Sequence, residues 1–247
     1  EIILSNGILR SEISERTGIS LMTVGKIMDV FLKRNIIFEK EYHTTTAGRK
    51  PALALPNVDV WWSCVFSLTD AVTISVLSLD LRLIYVAKFD VVDNNWEASL
   101  QEAIEDVQIY IKDNNLDLNT LMGVGVSAPA PYNNELDRVA CPNRPNLENL
   151  RLRKILSEKF GADIYIDEDV KLAAIASLDA FAEYRDTNIF YMYIGIGVGG
   201  VLLQHGEIYR GEDNYAGDIG QVILSEGVTV EDYLSWETLS KRFAAHG

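Results

Sequence analysis

The spacing of the apolar residues changes near residue 58, and this change constrains the fold more than any other feature of the chain. Before it, six apolar residues recur at helical spacing: Leu21, Val24, Ile27, Met28, Phe31 and Leu32. After it, three β-rich apolar runs at 61–68, 72–79 and 83–91 follow one another, separated by turn-like residues. A helical segment followed by consecutive strands predicts two domains, residues 1–58 and residues 59–247.

The first domain has the pattern of a winged helix-turn-helix. A short helix at 10–17 is closed by Gly18, and Ser20 caps a second helix that carries the apolar stripe. Two short helices joined by a glycine-containing turn are typical of proteins that place the second helix in the DNA major groove. The face opposite the stripe would then present Met22, Thr23 and Lys26 to the bases. The alternative is a small helical hairpin without a role in DNA binding.

A basic hairpin follows the second helix. A strand at 36–42 leads out and a strand at 52–55 returns, and between them lie Gly48, Arg49, Lys50 and Pro51. Glycine lets the backbone approach a phosphate, and arginines on such arms enter narrow minor grooves. We predict that Arg49 and Lys50 contact operator DNA, with a solvated hairpin tip as the alternative.

The charges divide the chain in the same way. The 247 residues include 22 basic and 36 acidic side chains, which gives a net charge of −14. Residues 1–58 hold eight of the basic and six of the acidic side chains, so this part is +2 and the remainder is −16. Only the first domain can therefore approach a DNA backbone, because the acidic remainder repels phosphates. A solvated acidic surface is the plainer explanation of the charge on the remainder.

The second domain alternates helices and strands after its three opening strands. Helical periods cover 96–112, 150–160 and 170–182, and apolar β-rich runs cover 121–126, 164–166, 189–195 and 198–204. This order predicts an α/β lobe with a mixed sheet, followed by a second lobe that begins after Gly195.

The apolar stretches and the cysteines restrict the cellular setting. The longest apolar stretch, 189–203, has 15 residues and is interrupted by glycines, whereas a membrane span takes about 20. The start of the chain lacks the pattern of a signal peptide, and Cys64 and Cys141 are too few for a disulfide framework. We expect a soluble cytoplasmic protein with no membrane partner.

Several short segments of the second domain together resemble one protein family. They read GVGVSAPAP at 123–131, CPN at 141–143, IDEDVKLAA at 166–174, GIGVGG at 195–200, GEIYRG at 206–211 and AGDIGQ at 216–221. With the preceding helix-turn-helix, their order resembles the ROK family, which includes bacterial sugar kinases and sugar-responsive repressors. The basic hairpin makes the chain similar to the repressor branch, of the N-acetylglucosamine and xylose repressor type.

The resemblance implies an actin-like ATPase (ribonuclease H-like) fold for the second domain and a pocket for a sugar or sugar derivative. Asn143, Asp169 and Asp218 fall where the family contacts sugar hydroxyls, and Asp169 falls where its kinases place the catalytic base. Amide and carboxylate groups suit a polyol, because each donates or accepts hydrogen bonds in a fixed direction. Asp169 could instead only cap the helix at 170–182, and both roles can coexist.

The motifs that phosphoryl transfer needs are altered. Ser67 stands where the family's kinases have the metal-arranging Asp of their first hairpin, and Ile196 replaces the threonine of the second phosphate loop. Gln221 replaces the histidine of the family's zinc motif, and no cysteine follows it. Phosphoryl transfer depends on positioning and charge neutralisation, so these losses should be severe. We predict a sugar-responsive repressor with no catalytic residue, metal or cofactor.

Two other functions stay open: an active sugar kinase with a degenerate phosphate site, and a DNA-binding protein whose second domain only dimerises. Because one small head reads few base pairs, we expect a homodimer or tetramer on a palindromic operator. The chain starts without Met and stops at Gly247, whereas family members continue through the rest of the second lobe. We therefore expect that lobe to be incomplete.

Overall fold

The computed structural model describes residues 2–3, 5, 7–41, 52–141 and 144–246. Its first elements are β1 (Ile8–Leu9), α1 (Arg10–Thr17), α2 (Leu21–Lys33), β2 (Ile37–Glu41) and β3 (Ala52–Pro56). The three strands form an antiparallel sheet in the order β1-β3-β2. The sheet and both helices enclose a small apolar core, which consists of Ile8, Ile13, Val24, Met28, Ile37 and Ala54.

The two helices predicted in this segment are confirmed, and local hydrogen bonds explain their ends. The Glu12 carboxylate accepts the N–H of Leu9 at 2.9 Å at the start of α1, and Gly18, at φ 68°, ends that helix. The Ser20 hydroxyl accepts the N–H of Thr23 at 3.3 Å and caps α2.

The buried stripe of α2 is narrower than its apolar pattern predicts. Val24 and Met28 are buried, but Leu21 is 55% exposed and Ile27 is 39% exposed. The expectation that these two residues are buried is therefore wrong. The short α1 and a three-stranded sheet cover only a narrow arc of the α2 surface, so the apolar residues at the edges of the stripe remain in contact with solvent.

The next ten elements build a mixed five-stranded sheet with helices on one face. They are β4 (Trp62–Leu68), β5 (Ala71–Ser78), β6 (Leu83–Asp90), α3 (Trp96–Asp113), β7 (Leu121–Ala128), β8 (Tyr132–Asn133), β9 (Arg138–Val139), α4 (Pro145–Glu148), α5 (Leu152–Phe160) and β10 (Ile164–Glu168). The strand order is β10-β7-β4-β5-β6, with β4, β5 and β6 antiparallel and β7 parallel to both of its neighbours. The predicted α/β lobe with a mixed sheet is confirmed.

The core of this lobe follows from the alternation of side chains along the strands. Phe66 of β4 and Ile74 of β5 point to the face that α3 and α5 cover, where Ile104 and Leu156 meet them. The chain leaves this sheet at the carboxyl end of β10, where α6 begins at the next residue.

The remaining elements form a second, smaller lobe. They are α6 (Asp169–Ala180), β11 (Asn188–Ile194), β12 (Val198–Gln204), β13 (Glu207–Ile208), β14 (Ile223–Ser225), β15 (Val228–Thr229), α7 (Val230–Leu234) and α8 (Trp236–His246). Strands β11, β12 and β13 form an antiparallel sheet. Ala174 and Leu178 of α6 pack on Val201 and Leu203 of β12, so α6 joins the two lobes. Within the described residues, no helix combines the length and the apolar character that crossing a membrane takes.

Candidate functional site

The exposed face of α2 brings together three of the residues predicted to contact DNA. Met22 is 71% exposed, and Thr23 and Lys26 are also exposed. Residues three or four positions apart lie one above the other on a helix, so the side chains at 22, 23 and 26 share one surface. The Thr23 and Ser20 hydroxyls lie 2.9 Å apart at the start of the helix. The three side chains are therefore exposed together on one face of α2.

The structure describes only part of the other predicted sites. Arg49, Lys50 and Asn143, together with the tip of the basic hairpin, lie outside the described residues. Asp169 and Asp218 are described, and they lie at the junction of the two lobes.

Asp169 is the first residue of α6, directly after β10. Strand β10 pairs with β7 as far as Glu168, and the helix starts at the next residue. Oδ1 of Asp169 accepts the N–H of Val170 at 2.7 Å, whereas Oδ2 accepts no hydrogen bond from the described residues. Because β10 continues through Glu168, the cap position falls on that residue, and the interpretation of Asp169 as the helix cap is wrong.

Burial and charge set the ionisation of these carboxyl groups. Burial raises the pKa of Asp169. The hydrogen bond from the Val170 amide and the positive charge of Arg144 lower this pKa, but burial outweighs them. Burial also raises the pKa of Glu168. The hydrogen bond and charge of the Lys171 ammonium group lower this pKa in part, and the negative charges of Asp218 and Asp169 raise it further. Asp169 and Asp218 therefore both lie within electrostatic reach of Glu168. Both predicted carboxylates therefore lie near Glu168, at the end of β10.

A glycine turn holds Asp218 against β12. At Gly220, a Cβ atom would lie 2.0 Å from the carbonyl oxygen of Val198, and at Gly217, where φ is +90°, it would lie 2.7 Å from the Leu202 nitrogen. Only glycine permits so close an approach of the turn to the strand. The N–H of Gly220 donates to Oδ1 of Asp218 at 3.1 Å. The side chain of Asp218 is thus fixed by the packing of its own turn.

Glu231, at the start of α7, is a residue of this site that the sequence analysis missed. Its Oε2 accepts the N–H of Val198 at 3.0 Å, its Oε1 lies 3.4 Å from Nε2 of Gln221, and its own N–H donates to Gly220 at 2.9 Å. Thr229 and Asp232 form a capping box that starts α7. That capping box is visible in the sequence and could have indicated a helix start beside the glycine turn.

Three cationic side chains surround the carboxylates. Lys171 is 2% exposed; it donates to the Glu168 carboxylate and, at 2.7 Å, to the carbonyl of Asn214 in the second lobe. Arg210 of the second lobe donates to both carboxylate oxygens of Asp167, at 2.5 and 3.0 Å. These contacts tie the 210–214 loop to the end of β10, so ion pairs bridge the two lobes.

The third cation is Arg144. Its guanidinium donates to the carbonyl of Thr69, in the hairpin between β4 and β5, and lies 5.4 Å from the ring centre of Trp96. Sequence reasoning did not single out Arg144, Lys171 or Arg210 as site residues. Arg144 and Arg210 contact residues 75 and 43 positions away along the chain, and no local pattern indicates such contacts.

Several groups at the two predicted phosphate hairpins have partners within the protein or are exposed. The N–H of Val198 in the glycine hairpin is occupied by Glu231, and Ile196 at the hairpin tip is 82% exposed. In the hairpin between β4 and β5, the Asp70 carboxylate accepts a hydrogen bond from Nζ of Lys88 at 3.1 Å. Among the described residues, no group of three or more His, Cys, Asp and Glu side chains is arranged to hold a metal ion.

Comparison with known proteins places the second domain in context. The model of the ROK family matches residues 69–233. The chain is similar to the xylose repressor of Bacillus spizizenii, with 23% identity over 225 residues that cover 91% of this chain and 58% of that protein. The chain thus spans less than two thirds of the length of this curated relative.

Solved structures show the same fold. A ROK family transcriptional regulator, a homolog of the Escherichia coli MLC protein, matches 97% of this chain and 63% of its own, with a TM-score of 0.74 and 18% identity. A ROK hexokinase from Thermus thermophilus matches 75% of this chain and 64% of its own, with a TM-score of 0.55 and 19% identity. The α/β fold predicted for the second domain is therefore that of these ROK proteins.

Proposed function

This chain belongs to the ROK family, and from that premise we propose that it is a sugar-responsive transcriptional repressor. One observation carries the proposal. The ROK transcriptional regulator matches 97% of the chain, whereas the ROK hexokinase matches 75%. The difference, 22% of the chain, is about the size of residues 1–58. This supports a regulator in which a DNA-binding unit precedes the body shared with the kinases.

Residues 1–58 act as a winged helix-turn-helix domain, and residues 59–247 act as the ligand-sensing body. The support is the packing of α1 and α2 on a three-stranded antiparallel sheet with a core of its own. Helix α2 is then the recognition helix, and Met22, Thr23 and Lys26 reach the operator bases. Arg49 and Lys50 contact the DNA from the basic hairpin, and a homodimer or tetramer reads the two half-sites.

The ligand is a sugar or sugar derivative bound between the lobes by Asn143, Asp169 and Asp218, with Glu231 beside them. The convergence of Asp169 and Asp218 on Glu168 supports this site. The similarity to a xylose repressor supports a sugar as the effector. A polyol that bridges the lobes would favour one arrangement of them and so change the position of the DNA-binding domains.

The first test concerns DNA binding. The operator DNA is first obtained by selecting bound sequences from a random pool. We expect Lys26→Ala to weaken binding to this operator by about 1–3 kcal/mol, because a direct contact to a base or phosphate is lost. The measurement is fluorescence anisotropy with labelled DNA, and Lys159→Ala, which removes an exposed cation of α5, is the matched control. Equal affinity of the Lys26 variant and the wild type would contradict the role of α2.

The second test concerns the ligand. A saturating sugar should lower operator affinity about 5- to 150-fold, which corresponds to a coupling free energy of about 1–3 kcal/mol. Asp218→Ala should abolish this response and leave DNA binding without sugar intact. Asp213→Ala, at an exposed position of the same loop, is the control. If no sugar changes the wild-type curve, the body only dimerises; if the Asp218 variant still responds, the ligand binds elsewhere.

We propose that the body does not transfer phosphate, although its fold is shared with a ROK hexokinase. The hydrogen bond of the Val198 N–H to Glu231 supports this, since that donor is used within the protein. A coupled ATPase assay with a panel of hexoses provides the check. If the wild type turns over ATP with a hexose and Asp169→Asn does not, the proposal is contradicted and the protein is a kinase.

A further inference from the structure

We infer that the site between the lobes selects an uncharged sugar and rejects the phosphorylated form of the same sugar. The inference rests on the proposed function and specifies its ligand class. It follows from three properties of the described residues. These are the hydrogen bonds of the amides in the glycine hairpin, the ion pairs of the nearby lysine and arginine side chains, and the carboxylates that form no ion pair with a described lysine or arginine.

Two amide donors of the glycine hairpin are already used inside the protein. The N–H of Val198 donates to Oε2 of Glu231 at 3.0 Å, and the N–H of Gly195 donates to the carbonyl of Gly197 at 2.8 Å. A phosphate group needs several N–H donors or cations around its oxygens. To bind the N–H of Val198, a phosphate would have to displace the Glu231 carboxylate, which carries the same sign of charge.

Two of the three nearby cations are held by carboxylates of the protein. Lys171 is buried between Glu168 and the carbonyl of Asn214, and Arg210 is bound by both oxygens of Asp167. A phosphate could recruit either cation only by breaking a buried or bidentate ion pair, which would leave the carboxylate of that pair uncompensated.

The charges of the site do not balance. The pairs Asp167 with Arg210 and Glu168 with Lys171 are neutral, and beyond them the site holds the positive charge of Arg144 and the negative charges of Asp169, Asp218 and Glu231. No lysine or arginine of the described residues is bonded to Asp218 or Glu231. A phosphorylated sugar would therefore meet an excess of about two negative charges in a partly desolvated site.

The same carboxylates suit free hydroxyl groups. Oδ2 of Asp169 and Oδ2 of Asp218 accept no hydrogen bond from the described residues, and Oε1 of Glu231 has only the 3.4 Å contact with Gln221. A hydroxyl donates one hydrogen bond to such an oxygen and gains the strength of a charged acceptor. The surplus of acceptors over donors therefore matches an unmodified polyol.

The test compares matched pairs of ligands by isothermal titration calorimetry on the whole chain. The pairs are glucose with glucose 6-phosphate, N-acetylglucosamine with its 6-phosphate, and xylose with xylose 5-phosphate. We expect at least one free sugar to bind and its phosphate to bind about tenfold more weakly or worse, because like charges are brought together. In Glu231→Gln, which keeps an acceptor for the N–H of Val198, this preference should shrink about threefold or more.

Glu237→Gln is the matched control, since it removes the same charge from an exposed position of α8 where Glu237 pairs with Lys241. A phosphate that binds as well as or better than its free sugar would overturn the inference and leave the proposed function standing. An equal preference in the Glu231 and Glu237 variants would overturn the electrostatic cause. If neither member of any pair binds, the sugar-sensing function itself fails, and the inference fails with it.

Discussion

Lys171 is the one charged side chain that is fully buried among the residues that the structure describes. Its ammonium group is satisfied by the carboxylate of Glu168, which is 13% exposed, and by the carbonyl of Asn214. A buried ion pair contributes little net stability compared with an apolar pair, but the loss of one partner leaves an isolated buried charge. The same ion pair therefore affects the stability of the fold and the position of Glu168 in the site.

Lys171→Met should lower the free energy of unfolding by about 3–5 kcal/mol, because Glu168 is left buried without its partner. Urea denaturation followed by circular dichroism measures the loss, and the double variant with Glu168→Gln should recover most of it. Lys241→Met is the matched control, since this exposed lysine pairs with Glu237 and its removal should cost about 0.5 kcal/mol or less. Similar losses at both lysines would refute the burial argument.

Asp167 makes stability depend on acidity in a predictable direction. Its burial acts to raise its pKa, but the hydrogen bonds from Arg210 and the Glu168 amide and the charge of Arg210 outweigh this and hold the pKa below the usual 3.8. Since the folded pKa is lowered, the stabilising contribution is present above pH 3.8 and is lost as the pH falls through the folded pKa. The difference in melting temperature between wild type and Asp167→Asn should therefore shrink below pH 3.8, and a constant difference would count against it.

At the scale of elements, the packing of the 216–221 turn on β12 fixes the position of Asp218 and of Gly220, whose carbonyl accepts the N–H of Glu231. In Gly220→Ala, the new Cβ would lie 2.0 Å from the Val198 carbonyl oxygen, so the turn must move away from the strand. We expect a loss of about 1–3 kcal/mol in stability and the loss of the operator's response to sugar.

Gly227→Ala separates the two effects of the Gly220 variant. Gly227 has φ +83° and open space around its Cβ position, so the substitution strains the backbone by about 1–2 kcal/mol without displacing the 216–221 turn. Its response to sugar should persist in the anisotropy measurement. A Gly220 variant that also responds normally would show that the turn does not position the ligand.

For the molecule as a whole, strand β4 connects the N-terminal helices with the carboxylate site. Nε1 of Trp61, directly before β4, donates to the carbonyl of Asn35 at 2.9 Å, and Asn35 follows α2 with φ 56°. At the other end of β4, the carbonyl of Thr69 accepts the guanidinium of Arg144, whose charge acts on Asp169. We predict that β4 couples the site to the end of α2.

Trp61→Phe removes the indole donor and keeps an aromatic ring, so we expect a weaker coupling between sugar and DNA with both single affinities nearly retained. The coupling free energy should fall by about 0.5–2 kcal/mol, as is usual for residues between two linked sites. Operator titrations with and without sugar measure it, and Trp236→Phe, at an exposed position of α8, is the control. The same coupling in the Trp61 variant and the wild type would exclude this route.

The sequence by itself determined the elements whose signals are local. Apolar β-rich runs between turn residues predicted the strands that became β4, β5 and β6. The closing Gly18 predicted the end of α1, and helical spacing predicted α2 and α3, all within one or two residues of their observed ends. The motifs at 166–174 and 216–221 also indicated Asp169 and Asp218 as neighbours, because their order resembles a family with a known fold. Such signals survive in the sequence because backbone preference and side-chain periodicity act over a few residues.

Only the tertiary structure decided what surrounds those carboxylates. Leu21 and Ile27 fit the apolar stripe but are exposed. The spacing of apolar residues in α2 does not indicate how much of the helix surface α1 and the small sheet cover. The contact of Glu231 with the N–H of Val198 and the bond from Arg144 to Thr69 join residues 33 and 75 positions apart. Contacts at such separations depend on how lobes and turns pack, so the charge balance of the site, and with it the kind of ligand, emerges only from the folded chain.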